Sequence, residues 1–372
     1  MQARNLAMLG LVMLPASPAP AAEAGPLHLV TPIVYGTHLP GLGAPAASLA
    51  KLIKERSGGS LVLDLKQPGD GTKPQEILDK VSGGSVDAGF ATASFWAAKL
   101  PAAALFAGFP FGPDAQGYLD WFETGNGKTL YQEMYDHAGL KVHVIPCALG
   151  GAEAGGWFAK EIKTKDDIKG LRMRIFGLGG LVMAQLGATT VLVPGGNLLQ
   201  AFGKGEIDAA ELYTPAVDQQ QGLQAKVKLI YVPGWHQPET VLELIINKDR
   251  WSGLSDQQRT LIETACQETL HATATESARL QADALASLAA KDGVRIEAWP
   301  QDVLGAFRSA WAEVAKAEGE QDYFFKAVLD DIEKFRAKLQ DTGGPQATPA
   351  PQASSSPQSA PGPEAPTPQA TP

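Results

Sequence analysis

The chain has 372 residues, 44% hydrophobic and 19% charged, with a formal net charge of -9 at pH 7. That is enough apolar material for one large core or two moderate ones, and at this length two lobes are expected. An acidic balance with no compensating basic run argues against nucleic acid or an anionic membrane surface as partner.

Residues 1–22 carry Arg4, an apolar run from Leu6 to Leu14 and small residues ending at Ala21 and Ala22. This is the layout of a secretory signal peptide cleaved after Ala22, with an apolar run too short to span a bilayer. Residues 27–35 then read as a strand, 44–56 as a helix (Leu49, Leu52, Ile53) closed by Gly58 and Gly59, and 61–65 as a second strand. A helix over 73–81 and a short strand over 86–91 follow. Alternating strands and helices predict a mostly parallel sheet covered on both faces.

The same alternation returns over 172–210, with strands at 172–176, 190–193 and 207–210 and helices at 180–187 and 198–204. Within it, Leu171, Met173 and Ile175 share one strand face and Arg172 and Arg174 the other. An arginine at a strand end, beside the free N–H groups of the next helix, favours an anion, and a guanidinium holds a carboxylate through two parallel hydrogen bonds. Arg174 is read as that clamp; the plainer reading, that both arginines cover a strand edge with solvated charge, stands beside it. A dinucleotide loop is disfavoured because Val182 stands where G-x-G-x-x-G needs its last glycine.

Residues 255–291 and 301–339 have helical spacing, the second through Val303, Leu304, Phe307, Trp311 and Val314; they are read as a brace on one lobe, with packing across the lobes or a partner surface as the alternative. Residues 342–372, rich in Pro, Ala, Ser, Gln and Thr, have too little apolar content to fold and are read as a disordered tail. Cys147 and Cys266 have no metal or redox spacing; the expectation is two small buried hydrophobes, with pairing in an oxidising compartment as the alternative. None of the six histidines forms a catalytic metal motif, and His236, alone on a probable loop, is read as a solvated or packing residue.

Several phrases in fixed order carry a family resemblance: Leu105–Gly112 (Leu-Phe-Ala-Gly-Phe-Pro-Phe-Gly), Gly155-Gly156-Trp157-Phe158, Gly170-Leu171-Arg172-Met173-Arg174-Ile175, Gly177-Leu178-Gly179-Gly180, Gly205-Glu206-Ile207-Asp208-Ala209-Ala210-Glu211 and Tyr231-Val232-Pro233-Gly234-Trp235-His236. Over about residues 27–341 the chain resembles the solute-binding subunits of tripartite ATP-independent periplasmic (TRAP) transporters, nearest to those for 2-oxo acids or lactate. The resemblance implies an α/β, two-lobed periplasmic binding protein, with a ligand cleft between the lobes and long C-terminal helices. Lobe I would span about 27–150 and part of 240–341, and lobe II about 151–239. It implies capture of a small monocarboxylate in the periplasm and delivery to the membrane permease, without catalysis, and a homodimer in some relatives.

By the same resemblance Arg174 clamps the carboxylate, and Glu153, Glu211 and the carbonyl of Leu212 hold a cation beside the ligand; Glu239, just beyond Trp235-His236 on the probable loop, is a further candidate to close that site. Trp157, Trp96, Trp235, Phe95 and Tyr213 are candidate ligand contacts. Glu153 stands where relatives have Gln; the second carboxylate shifts the expected ion from Na⁺ toward Ca²⁺, unless it pairs with a basic ligand group or with Arg174 and makes a metal unnecessary. Glu211-Leu212-Tyr213 replaces Glu-Trp, and Ser94-Phe95-Trp96 lacks tyrosine hydroxyls found in relatives, so the ligand is expected to differ in shape. The alternatives are a secreted α/β enzyme with Glu153 or Glu211 as base, for which no G-x-S-x-G elbow is present, and a ligand-sensing domain for a receptor.

Overall fold

The structure, a computed structural model, describes residues 25–341. The signal peptide read over 1–22 and the tail read over 342–372 lie outside the described residues. Its strands are β1 (Leu27–Pro32), β2 (Leu61–Lys66), β3 (Ala88–Ala91), β4 (Val142–Leu149), β5 (Gly156–Phe158), β6 (Arg172–Arg174), β7 (Thr189–Thr190), β8 (Ala209–Ala210), β9 (Leu229–Tyr231), β10 (Val241–Asn247) and β11 (Arg295–Glu297).

Two layers result. In the first, β1 pairs with β2, and β3, β10 and β4 lie side by side; a bridge between Ile33 and Phe90 joins the two groups. In the second, the order is β11-β9-β5-β8-β6-β7. The chain crosses from first to second layer between β4 and β5 and returns between β9 and β10. The expected mostly parallel sheet is corrected here: β10 is antiparallel to β3 and β4, and β5 to β8 and β9. A chain that leaves a lobe and comes back contributes two strands of opposite direction, and these take the middle of each sheet. All seven residues of β10 are buried, as a strand covered on both faces requires.

The helices follow local signals. In the helix Ala44–Arg56, Pro45 occupies the first turn and Lys54 and Arg56 the last. The helix Asp256–Asp292 opens on a Ser255–Gln258 capping box and ends at left-handed Gly293. It packs on β4 and on the helix Pro215–Gln221, where Gln281 accepts a hydrogen bond from the Ala216 amide at 3.0 Å, so it touches both lobes. The stretch read as one helix over 301–339 is two, Gln301–Gln321 and Tyr323–Asp341, because Asp322 takes an extended conformation and its carboxylate receives the Phe325 amide at 2.8 Å. The first packs on the helix Gly177–Gln185 of the second lobe and the other on helices of the first. The expectation of a brace on one lobe is thereby overturned. The strand read over 190–193 shrinks to exposed Thr189–Thr190, since Pro194 follows at a sheet edge.

Cys147 and Cys266 form a disulfide, with Cα atoms 4.3 Å apart, against the expectation of two unpaired buried hydrophobes. The packing of the long helix on β4 brings together positions 119 residues apart, which no local spacing reveals.

Candidate functional site

The two crossing segments run beside each other and are tied by backbone hydrogen bonds: Gly150 N–H to the Thr240 carbonyl (2.7 Å), Glu153 N–H to the Gln237 carbonyl (3.1 Å) and Gly234 N–H to the Glu153 carbonyl (2.9 Å). Contact at Gly234 is so close that a Cβ there would lie 2.5 Å from the Glu153 carbonyl oxygen, which accounts for glycine at that position. Glu153 on the outgoing segment and His236 and Gln237 on the returning one are thus held together by backbone geometry.

The strand end at β6 supplies the positive charge. Arg174 lies opposite Ala210 of β8, and the Glu211 amide donates to the Arg174 carbonyl at 2.8 Å, so Glu211 emerges beside the arginine. The buried Arg174 Nη1 donates to the Glu211 carbonyl oxygen and to Glu211 Oε2 (3.1 Å), while its Nε has no partner. The Phe176 ring covers the guanidinium, 4.1 Å from ring centroid to Cζ. Arg172, on the same strand face, behaves differently: it forks onto Asp208 (2.8 and 2.9 Å) with its side chain 43% exposed. Of the two arginines, Arg172 is the partly exposed one and Arg174 the one turned inward.

Glu153 completes the cluster. Its Oε1 accepts from Gln237 Nε2 (2.8 Å), and its Oε2 lies 3.2 Å from His236 Nε2. Ligand atoms of Glu153, Glu211 and His236 all lie within 4.8 Å of one another. Burial raises Glu153 to about 7 against the opposing pull of a hydrogen bond with Glu211 and of Arg174; burial and then the Glu153 charge raise Glu211 to about 8. Burial lowers His236, leaving a neutral imidazole whose Nδ1 has no partner. Two crowded carboxylates and a neutral ring nitrogen form an anionic, oxygen-dominated donor set, and those residues fit a cation.

Other candidates lie elsewhere. Glu239 turns away from the cluster, its Oε1 accepting the Gly151 (2.6 Å) and Thr240 (2.9 Å) amides, so it pins the crossing segments in place of closing a cation site. Trp157 is fully buried and donates to Asp218 (2.8 Å), whose other oxygen accepts the Tyr213 amide at 3.0 Å. Trp96 donates to Glu243 (2.9 Å) in the first lobe's core, and Trp235 stacks on Phe307 at 4.1 Å. These three tryptophans serve as core, because a large ring with one N–H is stable inside once that donor finds an acceptor or the ring face is covered.

Phe95 and Tyr213 do meet, through Tyr35: the Tyr35 ring lies 5.9 Å from Phe95 and 5.6 Å from Tyr213. The carbonyl of Leu212 follows Glu211 directly, and its side chain is buried. Sequence reasoning passed over Tyr35 and Gln237 and discounted His236. Tyr35 had a signal, since it closes the first predicted strand, and α/β clefts form at the carboxyl ends of strands. His236 and Gln237 had none beyond their place on the Gly234 segment.

Residues 39–322 match the model for bacterial extracellular solute-binding proteins, family 7 (DctP). A monocarboxylate 2-oxoacid-binding periplasmic protein of Nostoc sp. (strain PCC 7120) is 32% identical over 294 residues, covering 79% of this chain and 80% of that one. A TRAP transporter solute-binding protein from Bordetella bronchiseptica RB50, solved with calcium and picolinate, superposes with TM-score 0.79 at 26% identity, covering 86% of this chain and 94% of that one. One from Colwellia psychrerythraea, with calcium and pyruvate, gives 0.79 at 27% (85% and 96%), and one from Pseudoalteromonas atlantica T6c, with sodium and pyruvate, 0.78 at 27% (85% and 96%). With two layers joined at a crossing that gathers the charged groups, and a family match spanning most of its length, this chain belongs to the bacterial extracellular solute-binding proteins of family 7 and has their two-lobed fold.

Proposed function

We propose that the protein captures a small 2-oxo or 2-hydroxy monocarboxylate in the periplasm and delivers it to a TRAP-type membrane permease. The observation that carries this reading is the buried guanidinium of Arg174 facing the buried Glu153–Glu211 pair at the crossing of the two lobes. Arg174 binds the ligand carboxylate, with Phe176 holding the guanidinium plane. Glu153 and Glu211, with His236 beside them, hold Ca²⁺ or Na⁺. The cation offsets their charge and offers the ligand oxygens a positive partner. The Leu212 carbonyl is placed in the same group by its position after Glu211. Phe95 and Tyr213 contact the ligand, while Trp157 acts only through Asp218.

Supporting this reading, the Nostoc relative is named for 2-oxoacids, and the Colwellia and Pseudoalteromonas structures pair pyruvate with calcium and with sodium. The Cys147–Cys266 disulfide suits an oxidising compartment, as does a signal peptide over 1–22. Lobe I (about 27–150 with part of 240–341) and lobe II (about 151–239) close by a hinge at the crossing segments, so ligand contacts and hinge share residues.

Titration calorimetry of Arg174→Ala and Arg174→Lys with pyruvate and L-lactate, in Ca²⁺, tests the clamp. A buried carboxylate left without its partner loses roughly 3–5 kcal/mol, so the Ala variant is expected to bind at least about a hundredfold more weakly. Affinity within about tenfold of wild type would refute the clamp.

A further inference from the structure

Tyr35 and Tyr213 reach the charged cluster from different lobes. Tyr35 follows β1 and is 8% exposed; Tyr213 lies two residues beyond Glu211 and is partly buried. Their rings meet edge to face at an interplanar angle of 90°, and Phe95 packs on the other side of Tyr35. The Tyr213 backbone is fixed by Asp218, which is itself held by Trp157, so this ring is positioned from the second lobe's core.

Neither phenol hydroxyl has a hydrogen-bond partner among the described residues, although both stand in the field of the cluster. Burial pushes the Tyr35 phenol well up, Tyr213, Glu153 and Glu211 push it the same way, and Arg174 opposes them. Burial also raises Tyr213, against Arg174 and with Glu153 and Glu211. Neither oxygen is sealed off from solvent, so both remain open to a group that enters the cleft, and a ligand that displaces water there must replace the hydrogen bonds that the phenols would otherwise make. Such a pair at a binding site calls for an oxygen on the ligand.

The proposed function, on which this inference rests, assigns the carboxylate to Arg174 and the oxygen on the second carbon to the Glu153–Glu211 side. What remains of a short acid, its third carbon, is left for the phenols. A methyl group there satisfies neither hydroxyl, whereas a hydroxyl group accepts from both. We infer that Tyr35 and Tyr213 are a specificity pair, one from each lobe, selecting short 2-oxo or 2-hydroxy acids with an oxygen on the third carbon over those ending in methyl. Sites built to bond a ligand hydroxyl reject the analogue without it far more strongly than apolar pockets reject an added one.

The test is calorimetry with DL-glycerate and L-lactate in saturating Ca²⁺, on wild type, Tyr35→Phe and Tyr213→Phe. Wild type is expected to bind glycerate about tenfold or more tighter than lactate. Each Phe variant keeps the ring contacts and is expected to bring that ratio to about threefold or less by weakening glycerate alone. A wild-type preference for lactate overturns the inference, as do Phe variants that weaken both acids equally, since the phenols would then serve the shared carboxylate. Should Tyr35→Phe fail to fold, Tyr213→Phe at its partly buried position carries the same comparison. Failure of the underlying carboxylate site reads differently: neither acid binds wild type, and the specificity pair falls with it.

Discussion

Replacing Glu153 by Gln separates what the cluster does for folding from what it does for binding. In the cation-free protein, burial raises this carboxyl from 4.5 to about 7, a displacement worth roughly 3 kcal/mol at about 1.4 kcal/mol per pH unit. The sign follows from linkage: the folded state holds the proton more tightly than the unfolded chain, so stability is full below about 4.5 and falls as pH rises through about 7. At pH 8 the ionised carboxylate therefore opposes folding. Gln237 and His236 both contact Glu153 through polar groups, and an amide keeps an acceptor and a donor for them. Allowing for relaxation and water entry, Glu153→Gln is expected to stabilise the cation-free protein at pH 8 by about 1–2 kcal/mol, or roughly 3–8 °C in melting temperature.

Binding should move the opposite way, because the variant leaves one carboxylate where the proposed cation site has two. Calorimetric melting of EDTA-treated protein at pH 5 and pH 8, with and without Ca²⁺, reads both effects. The variant should melt with wild type at pH 5, above it at pH 8, and lose most of the Ca²⁺-induced rise. Glu211→Gln should follow the same sign in EDTA: burial and the Glu153 charge raise this carboxyl to about 8, so it is protonated at pH 5, where the variant should melt with wild type, and a difference should appear only as the pH reaches about 8. If Glu153→Gln melts below wild type at pH 8 without cation, or if Ca²⁺ raises both proteins equally, the cluster is not an anionic cation seat.

Two further changes probe the frame around the site. The Cys147–Cys266 bond spans 119 residues of chain, so the Cys147→Ala/Cys266→Ala double variant should lose about 3–5 kcal/mol in denaturant unfolding while retaining ligand affinity. A loss under about 1 kcal/mol would mean that helix packing on β4 alone suffices. Gly234→Ala adds no chemistry, yet its Cβ would meet the Glu153 carbonyl at 2.5 Å and force the crossing segments apart. Pyruvate affinity should fall by at least about tenfold, and an unchanged dissociation constant would show that Glu153 does not depend on this contact.

Much of the frame was legible because its signals are local. The Ser255 cap and Gly293 stop set the long helix, Pro45 and Gly58 bracket the helix Ala44–Arg56, and alternation around Met173 separates core from arginine face. What escaped depends on pairing across distance. Strand direction in the sheets, the Cys147–Cys266 partnership and the burial of Trp96, Trp157 and Trp235 follow from where the chain crosses and which helix lies over it, and one-dimensional periodicity carries neither. Glu239 and His236 show the same limit at the site. Three residues apart on one returning segment, they face opposite tasks, one tied to the Gly151 amide and the other to Glu153.

The crossing explains why the charged groups gather where they do. Inside a lobe, a buried carboxylate such as Glu243 is matched by fixed donors, here Trp96 and Tyr135. At the crossing, Glu153 and Glu211 share a region where two layers meet, and the direct cationic partner among the described residues, Arg174, engages Glu211. Two carboxyl groups thus face one guanidinium, and burial with their mutual repulsion keeps both partly protonated near neutral pH, while the Arg174 Nε has no partner. Buried groups left unmatched, here Arg174 Nε and His236 Nδ1, cost stability that a ligand or cation supplying the missing partners would recover. Glu153 lies on the outgoing crossing segment, and Arg174 on β6 and Glu211 just past β8 belong to the second layer, so on the proposed reading a ligand that bridges them would couple its capture to closure of the lobes.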